Sequence, residues 1–282
     1  MLRLPKREHV VLDPVRSVVR EIVHAVPGFP VDSIMLVGAH CRDILHLSLG
    51  NTDVLRATHD LDLALSLSDW RMHEELTEVF PRSGSTQIRY LIGGTPVDLV
   101  PFGKVETGTG IAYPPSRTDF VGSGPVGVWA LQQAFEDSLP LALESETVIR
   151  IPTVHGYSAA KLGAWVDRAA LFEFKDASDL GTAMRWYANS LNIEDRLYGD
   201  DQGVLLAENL DVALGSARLL AIDIRGLVGG DMLRGIRSRW GDYLPKFISH
   251  MSSNNHHPMD TERCHEIANA FDRGLWAEAP SR

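Results

Sequence analysis

The apolar residues of this chain mark short strands only in its first half. Up to Gly156 the regular stretches are short and mostly alternating; beyond Ser158 apolar residues recur every three or four positions almost to the end. Across residues 60–67, Leu61, Leu63, Leu65 and Leu67 fall on one side and Asp60, Asp62, Ala64 and Ser66 on the other. That is the period of a strand with one buried face. Residues 86–92 and 95–101 predict two more strands joined at Gly93-Gly94, a hairpin signature. Residues 33–37 read as a short buried strand; Gly38 follows, and residues 39–49 resume helical spacing. Residues 147–154 are a further strand candidate. The stretch 106–127, rich in Gly, Pro, Ser and Thr, predicts an extended loop with a short strand at 111–113.

Helices are expected over 14–26 and over 70–79, the second capped by Ser68 or Asp69. Further helices are expected over 158–172, 177–190, 200–214, 216–228 and 262–275. Strands first and helices second predict an α+β fold, with a mixed-sheet N-terminal domain over 1–155 and a helical domain over 156–282. Residues 254–258 read as a loop and 277–282 as a frayed tail.

The 282 residues are 44% hydrophobic and 23% charged, which supports a packed core and argues against general disorder. No apolar run is long enough to span a bilayer. Arg3, Lys6 and Arg7 are not followed by an apolar stretch, so no secretory signal is expected. Two distant cysteines, Cys41 and Cys264, argue against a disulfide framework or cysteine zinc site and suit a reducing cytoplasm. A net charge of -10 argues against a general nucleic-acid coat protein. Arg218, Arg225, Arg234, Arg237 and Arg239 nevertheless bunch together, as a basic face or as a solvated helix surface. His40, His59, His155 and the pair His256-His257 have no metal-ligand spacing and read as structural or solvated.

Asp60 and Asp62, two apart on a predicted strand, point to one face. Carboxylates so placed repel unless a cation sits between them, and Mg²⁺ favours one or two carboxylates with water and phosphate oxygens. The bland alternative is an exposed strand face. Three neighbours favour the metal. Gly38-Ala39 opens a helix after a strand, where backbone amides can meet a phosphate. Asp98, between Val97 and Leu99 on a strand, offers a third carboxylate as base or ligand. All three elements follow in order.

That order is similar to the polymerase β type of nucleotidyltransferase, and more closely the chain resembles the bacterial nucleotidyltransferases allied to the AbiEii abortive-infection toxins. The resemblance rests on Val37-Gly38-Ala39-His40-Cys41-Arg42-Asp43, Arg56-Ala57-Thr58-His59-Asp60-Leu61-Asp62, Val97-Asp98-Leu99-Val100-Pro101-Phe102-Gly103, Lys161-Leu162-Gly163-Ala164-Trp165-Val166-Asp167-Arg168 and Lys175-Asp176-Ala177-Ser178-Asp179-Leu180. One departure is Ala39, where many members of the superfamily carry a phosphate-holding serine.

The resemblance implies an NTP in a cleft between the sheet and the helices after Gly156. Asp60, Asp62 and Asp98 are its catalytic and metal-binding residues, holding Mg²⁺, with Asp98 also placed to accept the acceptor's proton. Gly38, Ala39, Arg56, Lys161, Arg168, Lys175 and Asp176 are its nucleotide-binding candidates. Local readings compete: Arg56 as a surface residue, Arg168 as part of a surface stripe beside a core Trp165, and Asp176 and Asp179 as first-turn helix caps. The implied acceptor is the tRNA 3′ end, with an antitoxin protein encoded next door. A small aminoglycoside-like acceptor, or a degenerate nucleotide- or partner-binding module, are the alternatives. An Asp-x-Asp glycosyltransferase would need several parallel strands before the motif, and only one strand candidate precedes Asp60.

Overall fold

A computed structural model describes residues 2, 10–108, 110–115, 124–144, 146–253 and 259–276. Arg3, Lys6 and Arg7, the loop expected at 254–258 with His256-His257, the tail expected at 277–282 and residues 116–123 of the expected long loop lie outside the described residues. The chain divides into two compact units, Met1–Thr153 and Val154–Arg282.

The first unit is α+β. Its elements are α1 (Asp13–Ala25), β1 (Ile34–Val37), α2 (Gly38–Ser48), β2 (Leu61–Leu67), α3 (Arg71–Val79), β3 (Arg89–Ile92) and β4 (Thr95–Gly103). Then follow β5 (Ile111–Ala112), β6 (Val126–Gly127), α4 (Leu131–Glu136), β7 (Leu139–Ala142) and β8 (Val148–Ile151). Six strands form one mixed sheet in the order β3-β4-β2-β1-β8-β7, with β2–β4 and β1–β8 parallel and the other pairs antiparallel. The strands β5 and β6 pair separately. Leu61, Leu63, Leu65, Ile34, Leu36, Val97 and Leu99 are fully buried, as the alternation requires.

Two details depart from the sequence reading. β2 starts at Leu61, so Asp60 lies one residue before the strand rather than on it. Leu139–Ala142 is a strand despite Pro140; it sits at the sheet edge, where a missing N–H leaves no ladder bond unmade.

His73, in α3, is buried, and its Nε2 has no hydrogen-bond partner among the described residues. Burial lowers its pKa from 6.5 to about 4. As pH falls from 6.5 toward 4 the unfolded chain takes up this proton before the folded one does. Stability is therefore expected to drop over that window, by roughly 3 kcal/mol at most. Urea midpoints at pH 7 and pH 4.5 test this, and His73→Leu should remove most of the difference.

The second unit is helical: α5 (Val154–Arg168), α6 (Lys175–Ala188), α7 (Leu191–Tyr198), α8 (Gln202–Ala207), α9 (Val212–Val228), α10 (Gly230–His250) and α11 (Thr261–Trp276). Its core includes Tyr157, Trp165, Trp186, Trp240, Phe247 and Phe271. The break expected at Gly215, between helices over 200–214 and 216–228, falls instead at 208–211: α8 ends at Ala207 and α9 runs unbroken through Gly215. A Cβ at Gly215 would meet Leu197 and Leu205, so the glycine marks close helix packing rather than a turn. Asp211 caps α9, accepting from the amides of Ala213 and Leu214 at 3.0 and 3.1 Å. The helix α10 was not anticipated, because Gly235, Gly241 and Pro245 interrupt its pattern. Cys41 and Cys264 are buried, and neither forms a disulfide. Among the described residues no helix is long and apolar enough to cross a membrane.

Candidate active site: a carboxylate row clamped by Arg89

The register of the sheet sets one row of residues side by side across four strands. Val37 on β1 pairs with Asp62 on β2, Asp62 with Asp98 on β4, and Asp98 with Arg89 on β3. Residues paired in this way share a face of the sheet. Asp62 and Asp98 are therefore neighbouring carboxylates with a guanidinium at the end of their row.

Arg89 closes on them as a fork. Its Nε donates to Asp98 Oδ1 at 2.7 Å and its Nη2 to Asp98 Oδ2 at 2.8 Å. The same Nη2 reaches Asp60 Oδ2 at 2.7 Å. The Thr58 hydroxyl donates to the other Asp60 oxygen. The hydrogen bond to Asp98 raises the Arg89 pKa above that of an ordinary guanidinium; burial opposes this, and the charges of Asp98, Asp60 and Asp62 add to it. The fork is the strongest geometry an arginine and a carboxylate can adopt.

Gly38 supports Asp62 from below. It has φ +69°, and a Cβ built there would lie 1.8 Å from Asp62 Oδ2 and 2.8 Å from Asp62 Cβ. Rotating the carboxylate away cannot relieve the second clash. Gly38→Ala combines a left-handed backbone with an overpacked contact, and is expected to destabilise the chain by about 2 kcal/mol. An unchanged denaturation midpoint would contradict that packing. Ala39 is buried in the first turn of α2, and the Val37 cap residue makes no side-chain cap bond. Next to it, His40 has its pKa lowered by burial, against the opposing charge of Asp43 and a hydrogen bond that its ring donates to the backbone of Asp60.

The segment leading into Asp60 is held by Arg42. This arginine is fully buried, binds Asp43 through Nε at 2.9 Å and Nη2 at 2.7 Å, and donates to the Arg56 carbonyl at 2.6 Å. Arg56 enters this arrangement through its backbone, and its side chain is exposed. His46 adds a second tie, its Nε2 lying 3.0 Å from Asp53 Oδ1.

The helical unit gathers a second set of candidates. Lys161 Nζ lies 3.0 Å from Asp176 Oδ1 and 2.7 Å from Asp179 Oδ2, and Arg168 reaches Asp176 Oδ2 at 3.2 Å. Both aspartates are completely buried. Neither caps its helix: Phe174 is the cap residue of α6 and makes no side-chain bond, and Asp176 lies inside the first turn. The capping alternative therefore gives way to an ion cluster in which two cations balance two carboxylates. Trp165 is in the core, 5.7 Å from the Phe247 ring. Lys175 is exposed at the start of α6.

The arginine-rich stretch is largely committed to its own unit. Arg218 binds Glu208 at 2.9 Å, Arg239 binds Asp167 at 2.5 Å, Arg234 pairs with Asp231, and Arg237 lies 5.1 Å over the Trp276 ring.

Arg89 is the member of this candidate site that the sequence reading missed, although a signal existed. Counting outward from Gly93-Gly94 in a two-residue hairpin pairs Ile92 with Thr95, Leu91 with Pro96, Tyr90 with Val97, and Arg89 with Asp98. Among the described residues no three histidine, cysteine, aspartate or glutamate side chains form a ready-made metal site. The donor set nonetheless suits Mg²⁺, which needs only one or two protein carboxylates; Asp62 and Asp98 are such a pair. No known family, curated protein or solved structure matches the chain.

Proposed function

We propose that the chain is a Mg²⁺-dependent nucleotidyltransferase that moves an NMP from an NTP to an acceptor. The observation that carries this reading is the row Asp62–Asp98–Arg89 with Gly38 packed beneath Asp62. Two neighbouring carboxylates beside a strand-to-helix turn offer a cation site and backbone amides for phosphate within one small region.

In this reading Asp62 and Asp98 hold Mg²⁺ with Asp60, and the amides at Gly38 and Ala39 meet phosphate oxygens. The ion, when bound, neutralises phosphate charge and polarises the reacting phosphate. Asp98 is the residue nearest the role of proton acceptor. In the helical unit, Lys161 and Arg168 engage Asp176 and Asp179, and their nucleotide-binding roles rest on the resemblance alone. Arg56 and Lys175 keep nucleotide-binding roles through the resemblance alone.

For the acceptor, a net charge of -10 and the internally paired arginines favour a small hydroxyl-bearing molecule over tRNA. RNA needs several uncommitted Lys or Arg contacts to phosphate. A second reading, a nucleotide-binding module without transfer, is favoured by one observation: Arg89 already engages both oxygens of Asp98.

The deciding experiment incubates the full chain with each α-labelled NTP, Mg²⁺ and either total tRNA or a panel of aminoglycosides. Label transfer abolished by EDTA supports the enzyme, and the labelled product identifies the acceptor. NTP binding without transfer to either acceptor class supports the binding module. Failure to bind any NTP overturns both.

A further inference from the structure

We propose that Arg89 is a resident counter-ion which a divalent cation displaces from Asp60 and Asp98; this rests on the metal-dependent reading above. Four carboxylate oxygens belong to Asp60 and Asp98, and protein donors reach all of them. Arg89 takes both Asp98 oxygens and one of Asp60, and Thr58 takes the last. A metal at Asp98 must therefore meet a guanidinium hydrogen-bonded to the same oxygens. Two cations that close repel, so binding one weakens the hold of the other.

The charge balance gives this exchange a direction. Three carboxylates, Asp60, Asp62 and Asp98, meet here, and a divalent ion in the guanidinium's place offsets two of their charges where Arg89 offsets one. Arg89 is also placed to let go. It is the first residue of β3, an edge strand of four residues, and its side chain is 29% exposed. Its backbone is fixed on both sides, by Ser83 N–H to the Arg89 carbonyl at 2.9 Å and Leu99 N–H to the Ile88 carbonyl at 2.8 Å. Only the side chain needs to swing. Arg89 is thus a positioning residue: it keeps Asp60 and Asp98 together without metal and limits how tightly metal binds.

The test titrates Mn²⁺, standing in for Mg²⁺, into wild type, Arg89→Gln and Arg89→Lys full-length chains by calorimetry, with thermal melts alongside. Arg89→Gln should bind Mn²⁺ at least about 10-fold tighter than wild type. Its melting temperature should start below wild type and rise more on adding Mn²⁺. Arg89→Lys, which keeps the charge but loses the fork, should fall between the two; if Arg89→Gln does not fold, the lysine variant decides. Equal or weaker Mn²⁺ binding in the folded variants overturns the proposal, as does a chain in which no variant binds Mn²⁺. The transfer assay is scored separately. Transfer by wild type with unchanged Mn²⁺ affinity in the variants sinks the exchange and spares the enzyme. Tighter Mn²⁺ binding in the variants with no transfer by wild type does the reverse.

Discussion

On the proposed function, replacing Asp62 with asparagine is expected to lower nucleotidyl transfer by on the order of 10³-fold or more while leaving the melting temperature unchanged or higher. The two halves of this expectation have one cause. The fork of Arg89 closes on Asp98 and Asp60, and Asp62 acts on the same guanidinium through its charge. Beside it stands Asp98, one strand away in register. Like charges on neighbouring strands repel, by roughly 1 kcal/mol in water and up to roughly 4 kcal/mol at a protein surface when in close contact. Asparagine keeps the shape against Gly38 and removes that repulsion, so the metal-free fold gains. What it loses is an anionic oxygen facing the cation, which an amide replaces poorly. Asp98→Asn makes the contrast: it breaks the fork and should destabilise the chain as well as inactivate it. Parallel measurements of transfer and of thermal melting separate the two. An Asp62→Asn chain that retained transfer would remove the carboxylate pair from the chemistry. One that was inactive but also strongly destabilised would make Asp62 a structural residue.

How far such a site can be read from sequence depends on the range of the interaction that builds it. β2 and the hairpin were legible because alternation and Gly93-Gly94 are local signals. The polar side of that alternation held Asp62, and the short run around Asp98 held the second carboxylate. Their meeting is a different kind of fact. It depends on β2 and β4 pairing in parallel with Asp62 against Asp98, a register that no local pattern encodes. Arg89 shows the intermediate case. A lone arginine on an edge strand looks like solvated surface, yet hairpin counting alone places it opposite Asp98. Asp60 shows the reverse: the alternation extended the strand over it, whereas its carboxylate reaches Arg89 from just outside β2. In the helical unit the Lys161–Asp176–Asp179 cluster was half visible. Asp176 and Asp179 sit where capping carboxylates commonly sit, and only their complete burial shows that they answer to Lys161 instead.

That burial sets the largest stability effect expected in the chain. Lys161→Met should cost about 3–5 kcal/mol, the penalty for taking the lysine charge away from two buried carboxylates. Asp176 would retain Arg168 at 3.2 Å, whereas Asp179 would lose the ammonium now 2.7 Å away. Methionine fills nearly the same volume, so lost packing contributes little. Burial by itself disfavours the charged lysine, and the charges of Asp176 and Asp179 more than offset it, so the Lys161 pKa is raised above its usual 10.5. A raised lysine pKa contributes stability that is complete below 10.5 and is lost only as pH climbs through the higher folded value. The penalty should therefore be the same at pH 6 and pH 9, unlike the acid-side loss expected from His73. Adding Asp179→Asn to Lys161→Met removes one of the two carboxylates that the ammonium balanced and should recover much of the loss, because replacing both partners of a buried pair costs far less than removing one. Urea unfolding followed by the helical circular dichroism signal measures all three chains. If the single variant unfolds at the wild-type midpoint, Asp179 does not depend on Lys161, and the lysine becomes available for phosphate. If the double variant is no better than the single one, the cost lies in packing rather than in charge.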